Sequence, residues 1–345
     1  MNNLLSCIRN YIEDGRVSNI AVRIGKGKNI ISDIFESTEK NISDLTVFDM
    51  ASVTKVMVTT MLCLIAIDQK KIMLEDSVSK FFDTDEEKKK MKIRNLLTHT
   101  MGIGYQLLLF DGCTYDNVGD YILKIPSDVP IGTETLYSCP GYILLGKILE
   151  KIYGESLDKL FDKMIAKPLG LKHSGFCPRK DGDFVNSNLL SEEIGMVNDN
   201  NCRFLGGVSG NAGLFSCIED VSKYVEMLLN FGYPLISRET FELATKNDTE
   251  KMKESRTLGF VYVDNKYTQT GELFPEGSIG HCGHTGQSVF VDLNSGLYVI
   301  ILSDATISGI KNYGTDQYDG VKKMREELHN AIKKDLECNL MGITD

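Results

Sequence analysis

The stretch FDMASVTKVMVTTMLCLIAI, residues 48 to 67, sets Ser52 and Lys55 three positions apart at the mouth of an apolar segment. On a helix that spacing places both side chains on one face. A serine hydroxyl is a weak nucleophile until a neighbouring base takes its proton, and a lysine is a weak base until it is made neutral. Burial supplies the second condition: bringing a lysine from ~10.4 to near 7 corresponds to roughly 4 to 5 kcal/mol of differential environment. A helix N-terminus pushes the same way and offers backbone N–H groups to a developing oxyanion. The pair thus points to acyl transfer on Ser52 with Lys55 as its base.

Spacing alone does not select this pair, because SxxK occurs at Ser37, Ser52, Ser77, Ser156 and Ser308. Ser37 and Ser77 sit in polar stretches, Ser156 follows Gly154 as an N-cap would, and Ser308 lies in the glycine-bearing SGIKNYG. Ser52 can also be read as an N-cap. Lys55 argues otherwise, since it stands at the base of a helix apolar nearly all round from Val56 to Ile67. A buried lysine needs a partner or a shifted pKa, and functional sites collect such residues.

Two further stretches carry matching chemistry: LYSCPGYILLGKILE, with Tyr137 just before an amphipathic helix, and GHTGQSVFVDL, with His284, Thr285 and Gly286 ahead of a strand. In this order, with IRNLLTHTMGIGY after the first, they resemble the serine β-lactamase and penicillin-binding protein superfamily. The resemblance is to the branch of class C β-lactamases, DD-peptidases, D-aminopeptidases and esterases, and it covers roughly residues 18 to 305, including GGVSGNAGLFSCIEDVSKYVEMLLNFG and KPLGLKHSGF. It implies an α/β (α+β) domain built from both chain ends, an inserted all-helical domain, and a site in the crevice between them. It also implies roles: Ser52 attacks, Lys55 and Tyr137 shuttle the proton, the amides of Ser52 and Gln287 hold the oxyanion, and Cys139, His284, Thr285 and Gly286 contact substrate.

The sequence departs from that pattern. Cys139 stands where the family has the asparagine of YxN, and a thiol is a weak donor and acceptor where an amide binds the acyl-amide oxygen. His284 stands for the lysine of KTG, leaving a side chain only partly charged at neutral pH. Asn198 and Asn211 occupy positions where many relatives have histidine, and Gln287 and Ser288 also differ. These changes favour a carboxylesterase or a D-amino-acid peptidase or amidase. A β-lactamase proper, and a non-catalytic peptide- or β-lactam-binding protein of the same fold, are the other readings. The chemistry requires no cofactor; His281, Cys282 and His284 are too crowded for standard zinc spacing, so no metal is expected. His99 reads as satisfying a helix end, and His173 and His329 as surface residues.

The elements that must position these residues follow from periodicity. Leu4, Leu5, Ile8, Tyr11 and Ile12 predict a first helix ended by Gly15, and SNIAVRIGKGKNIISDIFES predicts two strands around Gly25, Lys26 and Gly27. Helices are predicted over 141–154, 219–232 and 319–337, and strands over 258–263, 288–293 and 297–303. The predicted architecture is an antiparallel sheet formed by both chain ends and flanked by terminal helices. Residues 1–67 and 255–345 form the sheet domain, and 68–254 a mostly helical one.

Composition bounds the partners. The 345 residues carry a net charge of −10, a field that repels phosphate backbones and anionic lipid. A small ester, amide or β-lactam-like substrate is expected rather than nucleic acid or a membrane. Lys88, Lys89 and Lys90, beside Asp85, Glu86 and Glu87, read as a solvated helix face. The nine cysteines form no CxxC pair, MNNLLSCIRNYIEDG lacks the pattern of a secretion signal, and Val56 to Ile67 is short for a membrane span. A reducing, cytoplasmic location is therefore expected. Oligomeric state is left open.

Overall fold

The computed structural model describes residues 1–104, 112–178, 182–187, 195–305 and 317–340. In chain order its strands are β1 (Asn19–Lys26), β2 (Asn29–Ser37), β3 (Phe48–Asp49), β4 (Gly175–Phe176), β5 (Leu214–Ser216), β6 (Val261–Tyr262), β7 (Ile279–Cys282), β8 (Ser288–Val291) and β9 (Leu297–Ser303). Six of them, all from the two ends of the chain, form an antiparallel sheet in the order β2-β1-β9-β8-β7-β6. The turn of the first hairpin falls at Gly27, whose φ of 60° suits glycine. The 288–293 strand forms as β8, while 258–263 contributes only Val261 and Tyr262. Strand β7 was not anticipated: IGHC lacks a β-branched run and is held extended by partners on both sides.

Successive side chains of a strand face opposite sides of a sheet, and here both sides are covered. Ile20, Val22, Ile24, Val299 and Ile301 pack toward the terminal helices α1 (Asn2–Glu13) and α11 (Gln317–Leu340). Ala21, Ile300 and Leu302 join the other core, shared with the helices of the middle of the chain. Those helices are α2 (Met61–Asp68), α3 (Ile93–Leu97), α4 (Val118–Lys124), α5 (Cys139–Tyr153), α6 (Leu157–Phe161), α7 (Lys167–Leu169), α8 (Asn200–Phe204), α9 (Ile218–Leu229) and α10 (Arg238–Ala244). A small sheet of order β3-β5-β4 also lies in the middle of the chain and delivers it to the Ser52 turn.

The segment from Ala51 to Asp68 is long and apolar enough to cross a membrane by length and composition alone, yet 83% of it is buried inside the protein. It is the central core helix. It begins as a tight 3-10 turn over Ala51–Val53, widens into a π-helical stretch over Lys55–Thr60 and continues as α2. The Tyr224 hydroxyl donates to the carbonyl of Val56 at 3.0 Å, so a side chain takes up an acceptor of the helical ladder where the helix is wide. The GGVSGNAG segment packs against α5: a Cβ at Gly210 would lie 2.0 Å from the Tyr142 carbonyl oxygen.

Two surface readings are corrected. Lys88 is buried, with Nζ donating to Ser127 Oγ at 2.6 Å, because the chain folds back over that turn. His329 is buried on the core face of α11 between Phe274 and Phe290. His99 does end a helix, following the Thr98 C-cap of α3 with a φ of 57°, and its side chain adds a second contact: Nδ1 accepts from the amide of Ser138, the N-cap of α5, at 3.0 Å, and its ring lies 4.7 Å from that of Tyr137. Ser308 and the residues around it lie outside the described residues.

Candidate active site

Ser52 sits in the 3-10 turn that opens the central helix. The turn is held from below, where Asp49 Oδ1 accepts the amide of Ala51 at 2.8 Å and Oδ2 accepts that of Asn198 at 2.7 Å. Ala51 has a φ of 45°, a strained backbone for a residue with a side chain, and such strain persists only where surroundings over-determine it. Burial pushes the Asp49 carboxyl up to about 6 despite those two hydrogen bonds.

Lys55, fully buried one turn on, reaches back to the serine. Its Nζ donates to Ser52 Oγ at 3.0 Å and to the Asn211 carbonyl at 2.8 Å, and lies 3.7 Å from Cys139 Sγ. The Tyr137 ring centroid is 5.0 Å from the same nitrogen. Burial pulls the ammonium down, but Cys139, Tyr137, a hydrogen bond with Tyr137 and the charge of Asp199 outweigh it and hold Lys55 above the ordinary lysine value. The groups gathered around Lys55 thus oppose the neutral lysine that burial alone would give.

Tyr137 and Cys139 complete the cluster from the entry of α5, where Ser138 caps the helix by accepting the amide of Gly141. Burial raises the Tyr137 phenol, opposed by the charge of Lys55 and by hydrogen bonds with Lys55 and Ser52. Burial likewise raises the Cys139 thiol, again opposed by Lys55. The four residues Ser52, Lys55, Tyr137 and Cys139 are thus brought together around one point. With Ser52, Tyr137 and Cys139 in its lining, a crevice of about 780 Å³ opens above them.

The fourth stretch is placed differently from expectation. His284, Thr285 and Gly286 occupy the turn between β7 and β8, and only His284 reaches the crevice. Thr285 is buried, with Oγ1 3.1 Å from the Asp49 carbonyl and 2.6 Å from Gln287 Oε1. Gln287 Nε2 donates to the same carbonyl at 2.6 Å and to that of Ser303 at 3.1 Å. A Cβ on Gly286 would strike Ser303 Oγ, away from the crevice. Thr285 and Gln287 therefore brace the backbone just ahead of Ser52.

The crevice wall is instead the end of β7: His281, Cys282, Gly283 and His284. Strand β6 pairs β7 at Ile279 and Gly280, and the edge beyond faces the opening. At Gly283 the chain passes so close to the serine turn that a Cβ would lie 2.8 Å from the Met50 carbonyl and 3.3 Å from Ala51 Cβ. His281 lies 6.2 Å from Tyr137, ring to ring. Burial and the charges of Arg256 and Lys55 hold its imidazole neutral, well below the usual range. Burial and Arg325 also lower His284, so the partly charged substrate anchor expected there is mostly neutral at pH 7.

Sequence reasoning missed the charged residues of the crevice. Asp199 accepts from Asn211 Nδ2 at 3.0 Å, and Arg256 and Arg325 also line the crevice. Only Arg325 left a signal: at helical spacing from Val321, Leu328 and Ile332 it falls on the buried stripe of α11.

A family model described as Beta-lactamase matches residues 4–314 of the chain. The chain belongs to the beta-lactamase family. It is 27% identical over 335 residues to a Bacillus subtilis (strain 168) protein named "N-acetylmuramyl-L-alanine amidase", covering 85% of this chain and 75% of that protein. It is 28% identical over 303 residues to an Escherichia coli (strain K12) protein named "Putative D-alanyl-D-alanine carboxypeptidase", covering 75% of this chain and 69% of that one. Among solved structures, EstCE1, described as a hydrolase with promiscuous acyltransferase activity, superposes with a TM-score of 0.75 at 20% identity, over 95% of this chain and 98% of its own. The octameric penicillin-binding protein homologue of Pyrococcus abyssi gives a TM-score of 0.72 at 21% identity, over 92% of this chain and 77% of its own. This member of the beta-lactamase family is a hydrolase.

Proposed function

We propose that the protein is a serine hydrolase that forms an acyl-enzyme on Ser52, acting as a carboxylesterase or a D-amino-acid peptidase or amidase. The observation that carries this reading is the 3.0 Å hydrogen bond from the buried Lys55 ammonium to Ser52 Oγ beneath the crevice. Among relatives named as peptidases and amidases, a serine so placed has one obvious use.

In the proposed mechanism Ser52 Oγ attacks the substrate carbonyl and its proton passes to Tyr137, whose phenolate form the adjacent Lys55 charge favours. Tyr137 then returns the proton to the leaving group, and a water repeats the cycle on the acyl-enzyme. The oxyanion is held by the amide of Ser52 and, in place of Gln287, by that of His284. Gly283 N–H is committed to the Gln287 carbonyl at 2.9 Å, and His284, the next residue, lies in the turn that lines the crevice, whereas Gln287 is buried behind it. Cys139 supports an ester preference, since a thiol replaces the amide that would hold a peptide's acyl oxygen.

The test is intact mass after mixing with p-nitrophenyl acetate, nitrocefin and a fluorophosphonate, with Ser52→Ala alongside. A serine-dependent adduct with release of nitrophenol is expected. No adduct from any reagent, or full esterase activity in Ser52→Ala, would overturn the mechanism.

A further inference from the structure

One residue brackets Tyr137. The amides on either side of the tyrosine both donate to His99, that of Leu136 to the His99 carbonyl at 2.8 Å and that of Ser138 to its Nδ1 at 3.0 Å. The imidazole also lies between two phenol rings, 4.7 Å from that of Tyr137 and 5.0 Å from that of Tyr142. It holds this place with a φ of 57°, in the left-handed region that few residues with a side chain adopt. Its neighbours tie the turn to α3: Thr98 Oγ1 donates to the Arg94 carbonyl at 2.9 Å, and Asn95 Nδ2 donates to Thr100 Oγ1 at 3.0 Å.

Filling space does not require such an arrangement. His99 is 1% exposed, and its Nε2 is buried with no hydrogen-bond partner among the described residues. An unmet buried polar atom and a left-handed backbone each cost free energy. Because Nδ1 accepts from Ser138, the ring proton sits on Nε2, and a second proton on Nδ1 would face that amide. Burial and the charges of Arg256 and Lys55, with His281 adding to them, hold the imidazole neutral, well below the usual range. Costs gathered at one residue persist where the surroundings over-determine it, and they cluster at functional sites. What they secure here is the phenol, whose ring centroid is 5.0 Å from Lys55 Nζ. His99 itself does not line the crevice, so it acts through Tyr137. We propose that His99 is a positioning residue for the proton shuttle, clamping the backbone on both sides of Tyr137 and stacking on its ring so that the phenol stays against Lys55 and Ser52. This inference rests on the serine hydrolase reading with Tyr137 as base.

The experiment records kcat/KM for p-nitrophenyl acetate against pH in the wild type and in His99→Asn, His99→Gln and His99→Phe. Asparagine sets an acceptor oxygen where Nδ1 lies and tolerates a left-handed backbone, so it keeps the clamp without the ring. Glutamine carries its oxygen one bond farther out, and phenylalanine keeps a ring but has no acceptor. In His99→Phe and His99→Gln the rate should fall by about tenfold or more, and its alkaline rise should move to higher pH by about one unit, because a phenol drawn away from Lys55 loses the charge that favours its phenolate. In His99→Asn the rise should return to the wild-type pH with most of the rate. The position of that rise does not depend on the fraction of protein folded, which separates positioning from general damage. If His99→Phe does not fold, the contrast between His99→Asn and His99→Gln decides. An unmoved rise in folded His99→Phe or His99→Gln, or a rise displaced as far in His99→Asn, overturns the clamp. Absence of turnover together with no fluorophosphonate adduct on wild-type Ser52 would instead overturn the hydrolase reading beneath it.

Discussion

Lys55 illustrates how far a single residue's chemistry can be read from its neighbours in sequence. Burial was legible, because nothing else fits at the base of an apolar helix; its charge state was not, because the groups that set it arrive from Tyr137, Cys139 and Asp199, distant in the chain. In the proposed mechanism the charged lysine leaves the serine proton to the phenol it supports. Tyr137→Phe should lower kcat/KM for p-nitrophenyl acetate by roughly 10² to 10⁴. The sign of the pH dependence follows from the same pair: the phenol is raised, so its reactive form grows as pH rises, and the wild-type rate should climb through the alkaline range. A pH–rate profile flat from pH 7 upward, or a Tyr137→Phe rate within threefold of wild type, would rule Tyr137 out as the base. Cys139 yields a second test at this scale. It is buried beside Lys55, and Asn in its place supplies the missing amide; Cys139→Asn should raise amide or nitrocefin turnover relative to ester turnover by about tenfold. An unchanged ratio would assign the thiol to packing alone.

Elements explain where the sequence reading of the site stopped. The chain carries two overlapping copies of one pattern, Gly280-His281-Cys282-Gly283 and Gly283-His284-Thr285-Gly286. A pattern repeated at three residues cannot say which copy lies on the strand; only pairing does, and β7 ends at Cys282 between β6 and β8. The second copy falls in the turn, where Thr285 and Gln287 brace Asp49. The terminal helix shows the same limit from another side. Its amphipathic period was plain, yet His329 was read as surface although it shares the buried stripe with Leu328 and Ile332. Its depth has a measurable cost in acid. Burial lowers its pKa from 6.5 to about 4, so the fold favours the neutral ring. The stability it contributes is complete above about 6.5 and is lost as pH falls through about 4. Between pH 7.5 and 4.5 the wild type should therefore lose about 2 to 3 kcal/mol more than His329→Leu, read from urea midpoints. Asp49, raised to about 6, acts with the opposite sign over part of that range, but it is common to both proteins and leaves the difference intact. Parallel pH curves for the two proteins would show that His329 charges without cost.

At the scale of the whole molecule, the architecture was legible because it depends on periods: strand signals at both ends, helical signals between. What periods do not show is how the parts share a core. The proposed division at residues 67 and 68 would cut α2 just before its last residue, Asp68. One hydrophobic cluster contains Ala21, Ile279 and Ile300 from the sheet together with Val58, Leu62, Tyr142 and Tyr224 from the helices. A helical unit of residues 68–254 would lose the central helix around which its own side chains pack, and the sheet would expose one face. Each part by itself would leave its share of this common core exposed to water. The protein should thus unfold in one cooperative transition, with calorimetric and van't Hoff enthalpies equal. Leu62→Ala, at the centre of that shared core, should cost about 2 to 5 kcal/mol. It should shift the loss of far-UV circular dichroism and the loss of fluorophosphonate labelling at Ser52 to lower urea by the same amount, because the serine turn is the first turn of the same helix. Two resolved transitions, or a labelling midpoint that moves while the dichroism does not, would show that the helical region and the sheet hold together independently and that the crevice is a joint between two stable bodies.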